Sequence, residues 1–200
     1  MEKRSLICGI DEAGRGPLAG PVCAAAVILP ERFERTVLDD SKKLSSAQRE
    51  HARDLICSYA LAWGIGWASV EEIDTINILQ ASLLAMKRAF EQMLECESLK
   101  AAADGGLPFT VEAVVDGLYV PDISVSCRAL VKADAQIPAV MAASILAKTA
   151  RDAEMSRYAQ LYPEYGFEKH KGYPTKAHRA AIIKYGPSPI QRMSFTVKPV

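Results

Sequence analysis

Three apolar runs in this 200-residue chain end on or near an acid. The run 6–10 leads into Asp11 and Glu12, the run 111–115 into Asp116, and the run that closes at Val131 is followed by Lys132, Ala133 and Asp134. Each acid alone has an ordinary explanation. Asp116 with Gly117 makes a good turn dipeptide, Asp134 can cap a following helix, and Asp11 can serve as a cap or turn residue. Together they point to chemistry. In open α/β sheets ligands bind outside the carboxyl ends of strands. Four acids meeting there repel one another unless a cation shares the site. Carboxylates without His or Cys suit Mg2+ or Mn2+, and two such ions ~4 Å apart are a common arrangement for phosphodiester hydrolysis.

A glycine pattern follows the first acids. Gly14-x-Gly16-x-x-Ala19 looks like a dinucleotide fingerprint, but that motif must open a helix. Pro17 and Pro21 interrupt it and a strand-like run follows. The glycines are better read as letting backbone amides approach a substrate closely.

These residues need a frame. The runs 6–10 and 22–29 read as short buried strands, the second stopped by Pro30. Ser45 with Gln48 is a capping-box pattern ahead of helical spacing at Ala52, Leu55, Ile56 and Tyr59. Residues 60–68 alternate with period two: Leu61, Trp63, Ile65 and Trp67 on one face, alanines and glycines on the other, against which another layer can pack closely. Ser69 with Glu72 is a second capping box, followed by the stripe Leu79, Leu83, Met86, Phe90 and Leu94 on one long helix. Residues 101–108 read as a loop, 111–115 as a strand, and 123–131 as holding another. An alanine-rich helix spans 139–158, and a last helix spans 175–185, closed by Gly186 and Pro187. Strands interleaved with helices, without repeats, give an α/β sandwich.

Composition sets the outer bounds. Half the residues are apolar, which supports one substantial core and excludes a disordered chain. No run is long and acid-free enough for a membrane span or signal peptide, so a cytoplasmic location is expected. The five cysteines are scattered, which argues against a disulfide framework or a zinc knuckle. Net charge is zero but uneven: residues 1–127 hold 12 Lys and Arg against 19 acids, and residues 128–200 hold 12 against 5. That asymmetry suits a basic face toward a polyanion beside an acidic pocket, or averages out if the halves mix in space.

The string Gly9-Ile10-Asp11-Glu12-Ala13-Gly14-Arg15-Gly16-Pro17-Leu18-Ala19-Gly20-Pro21-Val22 resembles the opening signature of the ribonuclease HII family. Asp40-Ser41-Lys42-Lys43-Leu44, Val115-Asp116-Gly117, Lys132-Ala133-Asp134-Ala135 with the block 142–152, His170-Lys171-Gly172-Tyr173-Pro174-Thr175, and Gly186-Pro187-Ser188-Pro189-Ile190 through Arg192, Ser194 and Phe195 resemble later blocks, in order. The resemblance implies a ribonuclease H-like fold, a five-stranded mixed sheet with helices on both faces. It implies metal binding by Asp11, Glu12, Asp116 and Asp134, reading of the 2′-hydroxyl by Gly14-Arg15-Gly16, and stacking of Tyr173 on the adjoining deoxyribose. Type III relatives usually lack the full Glu-Ala-Gly-Arg-Gly string, so Arg15 argues for type II. Ala133, Leu118 and Gln191 depart from the usual Gly, Asn and His.

The expectation is thus a single catalytic domain over residues 1–200, with residues from about 160 onward forming a C-terminal substrate-contacting helical extension. Its substrates would be RNA/DNA hybrid and duplex DNA with embedded ribonucleotides, with roles in ribonucleotide and RNA primer removal. A monomer is expected, with the tail 194–200 as a possible sliding-clamp peptide. Lys42 and Lys43 suit phosphate contacts. Lys148 and Arg151, three apart on a helix, suit phosphate or an ion pair. His170 and Lys171 beside Tyr173 suit a nucleic-acid backbone and sugar. Trp63 and Trp67 are expected in the core. Two other classes compete: a small-phosphate hydrolase on the same acids, which would need no basic half, and a non-catalytic nucleic-acid binder, which would not place four acids beside phosphate.

Overall fold

The computed structural model describes residues 4–38, 44–104 and 109–197. Five strands form one mixed sheet in the order β3-β2-β1-β4-β5, with β1 Arg4–Ala13, β2 Val22–Ile28, β3 Ala62–Ala68, β4 Phe109–Asp116 and β5 Ser126–Leu130. β1 pairs antiparallel with β2 and parallel with β4. β2 and β3 are antiparallel, β4 and β5 parallel. The helices are α1 Ser46–Tyr59, α2 Val70–Leu94, α3 Glu97–Asp104, α4 Pro138–Leu161, the single turn α5 Phe167–His170, and α6 Lys176–Tyr185.

The alternation in β2 shows how the sheet divides its two faces. Val22, Ala24, Ala26 and Ile28 pack into one core with Ala85, Met86, Phe90 and Met93 of α2. Ala25 and Val27 face the other way, into a core with Ala52 and Ile56 of α1 and Ile145 and Leu146 of α4. Every residue of β2 is buried, which a strand covered on both sides requires.

β3 packs as its alternation predicts. A Cβ at Gly66 would lie 2.1 Å from the Ala85 carbonyl oxygen, and one at Gly64 2.4 Å from that of Ala89. Only glycine lets α2 lie this close. Trp63 packs partly buried on the α1–α4 side. Both capping boxes form, Ser45 with Gln48 and Ser69 with Glu72.

Three expectations need correction. The run 101–108 is not all loop: α3 continues through Asp104, because its alanines are strong helix formers, and 105–108 lie outside the described residues. The long helix α2 is interrupted at Asn77, whose φ of 67° breaks the spiral and whose Oδ1 accepts from the N–H groups of Leu79 and Gln80, capping the second segment. The buried stripe of α2 is also rotated from the expected one. Met86 and Phe90 of the expected stripe are buried, but Leu79, Leu83 and Leu94 are only partly so, and Ala81, Ala85 and Ala89 are buried in their place, Ala85 and Ala89 where α2 lies against the glycines of β3.

Candidate active site

The parallel register brings the acids together. Ile10 pairs with Val115, so one step further Asp11 of β1 lies beside Asp116 of β4, and Asp116 is itself paired with Leu130 at the end of β5. Four residues beyond Leu130, a 3-10 turn over Ala133–Ala135 carries Asp134 back to the same edge. Lys132, in the left-handed region at φ 60°, reverses the chain to make this possible. The Ala133 N–H donates to Asp116 Oδ1 at 2.9 Å. The Ala133 methyl, where the resembling family usually has glycine, is fully buried against Val114 and Val140, so this departure fits without strain.

Oxygens of Asp11, Asp116 and Asp134 lie within 4.8 Å of one another. Asp11 and Asp134 are buried. Burial and the neighbouring Glu12 charge raise the Asp11 carboxyl well above its usual range, with the Ser144 hydroxyl pulling the other way. Glu12 is also raised, chiefly by burial, and Arg15 opposes that shift. Glu12 stands apart from the trio: its Oε1 takes a 3.2 Å ion pair from Arg15, and its buried Oε2 has no hydrogen-bond partner among the described residues. An all-oxygen donor set, mutual repulsion and an orphaned carboxylate oxygen next door fit a hard divalent cation.

Asp11 and Asp116 of the trio open into a cleft of about 250 Å³ lined also by Glu12, Gly14, Arg15, Gly16, Ser144, Lys148 and Tyr173. A larger cleft of about 490 Å³, lined by Trp67, Glu71, Glu72 and Tyr158, contains none of the four acids. The loop after β1 turns at Gly14, φ 101°, where an added Cβ would strike the Arg151 Nε at 2.0 Å. Gly16 lies under the Tyr173 ring, 3.6 Å from its Cε1 to a built Cβ. Tyr173 is 42% exposed, a flat surface presented to the cleft.

The basic residues divide. Lys148 lines the cleft and makes the ion pair that its spacing offered as the alternative to phosphate, with Asp152 at 2.8 Å. Lys171 turns its ammonium inward onto the Asp152 carbonyl and Ser156 Oγ. His170, expected at the surface, is buried: its Nε2 bonds the Tyr165 carbonyl and its Nδ1 accepts from Gly172 N–H, while its ring stacks on His178 at 4.5 Å. His178 in turn bonds the Tyr173 carbonyl through Nδ1. The two histidines therefore shape the Tyr173 loop from beneath, and burial lowers both below the usual histidine value. Lys42 and Lys43 lie outside the described residues.

Two residues at the site were not picked out for what they do. Arg151 is 1% exposed and donates to the carbonyls of Pro21, Lys171 and Ala19. Arg192, fully buried, donates to the carbonyls of Gly20, Arg15, Pro17, Gly14 and Pro21. Burial lowers both guanidinium groups, most strongly Arg192, where the Arg151 charge adds to the effect. Sequence spacing could not reveal these contacts, because their partners are backbone carbonyls. Gln191 is buried and forms the isolated bridge with Ala19, and Leu118 is exposed; neither is one of the clustered carboxylates.

Residues 8–198 match a family model described as Ribonuclease HII. Ribonuclease HII of Treponema denticola is 56% identical over 198 residues, covering 96% of this chain and 99% of that one. Among solved structures, ribonuclease H2 from Pyrococcus horikoshii OT3 superposes with a TM-score of 0.70 at 25% identity, covering 96% of this chain and 94% of that one. The ribonuclease HII solved in a PCNA complex from Archaeoglobus fulgidus gives 0.72 at 25% identity, covering 98% and 97%.

Proposed function

The chain belongs to the ribonuclease HII family and is a ribonuclease H-type endonuclease; from that premise we propose that it hydrolyses the phosphodiester on the 5′ side of ribonucleotides. Its substrates are RNA/DNA hybrids and single ribonucleotides embedded in duplex DNA, and its products carry 3′-hydroxyl and 5′-phosphate ends. The observation that carries this reading is the meeting of three carboxylates within 4.8 Å, two of which, Asp11 and Asp116, line the same cleft as Gly14, Arg15, Gly16 and Tyr173.

Asp11, Asp116 and Asp134, with Glu12 beside them, are the residues that would hold two divalent ions, Mg2+ or Mn2+. When bound, such ions supply Lewis acidity and balance the charge of the phosphate under attack. The protein's own groups do the positioning. Only the 2′-hydroxyl separates ribose from deoxyribose, so its reader must sit against the scissile phosphate. The loop 14–16 is tethered there by Glu12 and Asp11, two and three residues upstream. Arg15, whose side chain is 48% exposed, can exchange its Glu12 partner for a phosphate. Tyr173 offers a face that a deoxyribose fits and a 2′-hydroxyl would crowd. The residues from about 160 onward form the substrate-contacting extension, and the protein works as a cytoplasmic monomer. A sliding clamp is the partner class suggested by the archaeal complex.

The test is to incubate the protein and Mg2+ with a duplex carrying one ribonucleotide. A nick 5′ of that residue is expected. Cutting of uniform hybrid with the single ribonucleotide ignored defeats the substrate assignment. Hydrolysis of a small phosphate ester, with both duplexes untouched, favours the competing reading on the same acids.

A further inference from the structure

The Arg192 guanidinium has five N–H bonds, and five carbonyls of the loop 14–21 receive them. Nε donates to Gly20 at 2.8 Å, Nη1 to Arg15 at 3.0 Å and Pro17 at 2.8 Å, and Nη2 to Gly14 at 2.6 Å and Pro21 at 3.2 Å. No carboxylate within hydrogen-bonding distance of the guanidinium neutralises it among the described residues. Asp74 instead grips the adjoining chain, accepting from the N–H groups of Met193 and Ser194 at 2.9 Å each. A buried cation held by carbonyls and by the face of the Phe195 ring, 5.1 Å from its centroid, is an expensive way to fill space, since burying such a charge costs several kcal/mol that an apolar side chain of similar volume avoids. Its position therefore calls for a role that an apolar side chain could not perform.

The peptide planes supply that role. There are no cis peptides in the described chain, so each N–H points opposite to the carbonyl it shares a plane with. Fixing the Gly14 and Arg15 carbonyls on Arg192 turns the Arg15 and Gly16 N–H groups away from it. Neither of these N–H groups donates to another group among the described residues, and all three loop residues line the cleft. Two adjacent outward N–H groups form an oxygen-binding concavity.

We infer that Arg192 is the positioning residue for ribose recognition: it holds the carbonyls of Gly14 and Arg15 so that the Arg15 and Gly16 amides present a two-donor pocket to an oxygen of the ribonucleotide at the cut. The inference rests on the proposed reading that the loop 14–16 recognises ribose. Arg192 touches no substrate. Arg151 supports the same loop from α4 through the Ala19 and Pro21 carbonyls.

The experiment measures the affinity of the full-length protein in Ca2+ for two duplexes that differ only in one ribose or deoxyribose at the same position. Arg192→Lys keeps the charge but has three donors in place of five. It lowers the ribose-over-deoxyribose affinity ratio by roughly tenfold, about the loss of one good hydrogen bond, while affinity for the all-deoxy duplex stays within about twofold. A residue that merely supported the fold would lower both affinities together, and that result, or an unchanged ratio, overturns the inference. Should Arg192→Lys fail to fold, Asp74→Asn takes its place. It releases the chain flanking Arg192 from a half-exposed site and gives a smaller drop in the same ratio; an unchanged ratio there counts against the inference equally. A wild-type ratio near one identifies failure of the ribose reading itself, and the inference falls with it.

Discussion

At the carboxylate end of the cleft the side chains are the proposed working groups, carried on two strand ends and one 3-10 turn. At the loop end the proposed working surface is backbone, and the side chains that shape it are buried beneath it. Asp11, Asp116 and Asp134 are delivered by sheet register and one 3-10 turn, and they repel one another. The loop 14–21 has no regular structure apart from a single bridge to Gln191, and Arg151, Arg192 and the stacked His170 and His178 hold it and its Tyr173 neighbour in place. One end trades stability for charge density. The other uses buried charge to give shape to an irregular chain.

The sharpest way to break this contrast is Asp11→Asn. Cleavage should fall by more than the ~100-fold that losing an outer partner of a metal ligand costs, while binding to hybrid survives. The same change should stabilise the metal-free protein. Asp11 is raised by burial, so its folded pKa lies above its unfolded one. The associated stability is present below the unfolded carboxylate pKa and is lost as pH rises through the folded value. Thermal melts without metal should therefore decline from mildly acidic toward neutral pH in the wild type and less so in the variant. Near-normal cutting by the variant in saturating Mg2+ would defeat the site assignment.

At the loop end, Tyr173→Ala should slow cutting at a ribose-to-deoxyribose junction by roughly tenfold, of the order of one lost base- or sugar-stacking contact, with little change in duplex affinity. Equal losses on junction and uniform hybrid would show that Tyr173 supports the fold instead.

The salt dependence of binding should be shallower than the basic C-terminal region suggests. Of its 12 Lys and Arg residues, Arg151 and Arg192 are buried on carbonyls, Lys171 is turned onto α4, and Arg128, Lys148 and Arg157 are paired with acids. With half of them engaged internally, the slope of log affinity against log salt should be no steeper than about −5. A slope near −10 would mean that these internal pairs open on binding.

The smallest effect concerns the histidine stack. Burial lowers both rings below 6.5, so the unfolded chain takes up protons first on acidification. Stability is intact above 6.5 and is lost as pH falls through the folded values. Melts on either side of that pH should show the loss, and His178→Gln should flatten it. A wild-type profile with no acid-side decline would contradict the buried neutral pair.

The carboxylates were legible in the sequence because strand ends are: an apolar run with an acid at its close marks both an element and a position at its edge. Asp134 was legible for the same reason although it sits on a turn, because β5 delivers the turn. The glycine face of β3 announced close packing, and α2 packs there as closely as its pattern allowed. What stayed hidden depended on partners that sequence does not name. Nothing in Arg192 or Arg151 says that its partners are carbonyls 130 and more residues away, and His170 beside Lys171 and Tyr173 reads as surface until the neighbouring His178 is placed against it. The break at Asn77 was also obscured, since the apolar spacing on either side of it continues.

The Arg192 bonds have a consequence for biosynthesis. They join residues 171 to 178 positions apart, nearly the full length of the chain. The sheet can pair and gather its acids once β5 and the turn after it have been made, but the loop beside those acids cannot take its final form until Arg192 leaves the ribosome. The part of the cleft proposed to select a substrate is thus completed after the part that would attack one. In pulse-labelling exchange during refolding, the amides of Leu18 and Gly20, which bond to Gly172 and Ile190, should gain protection later than those of β1 and β4.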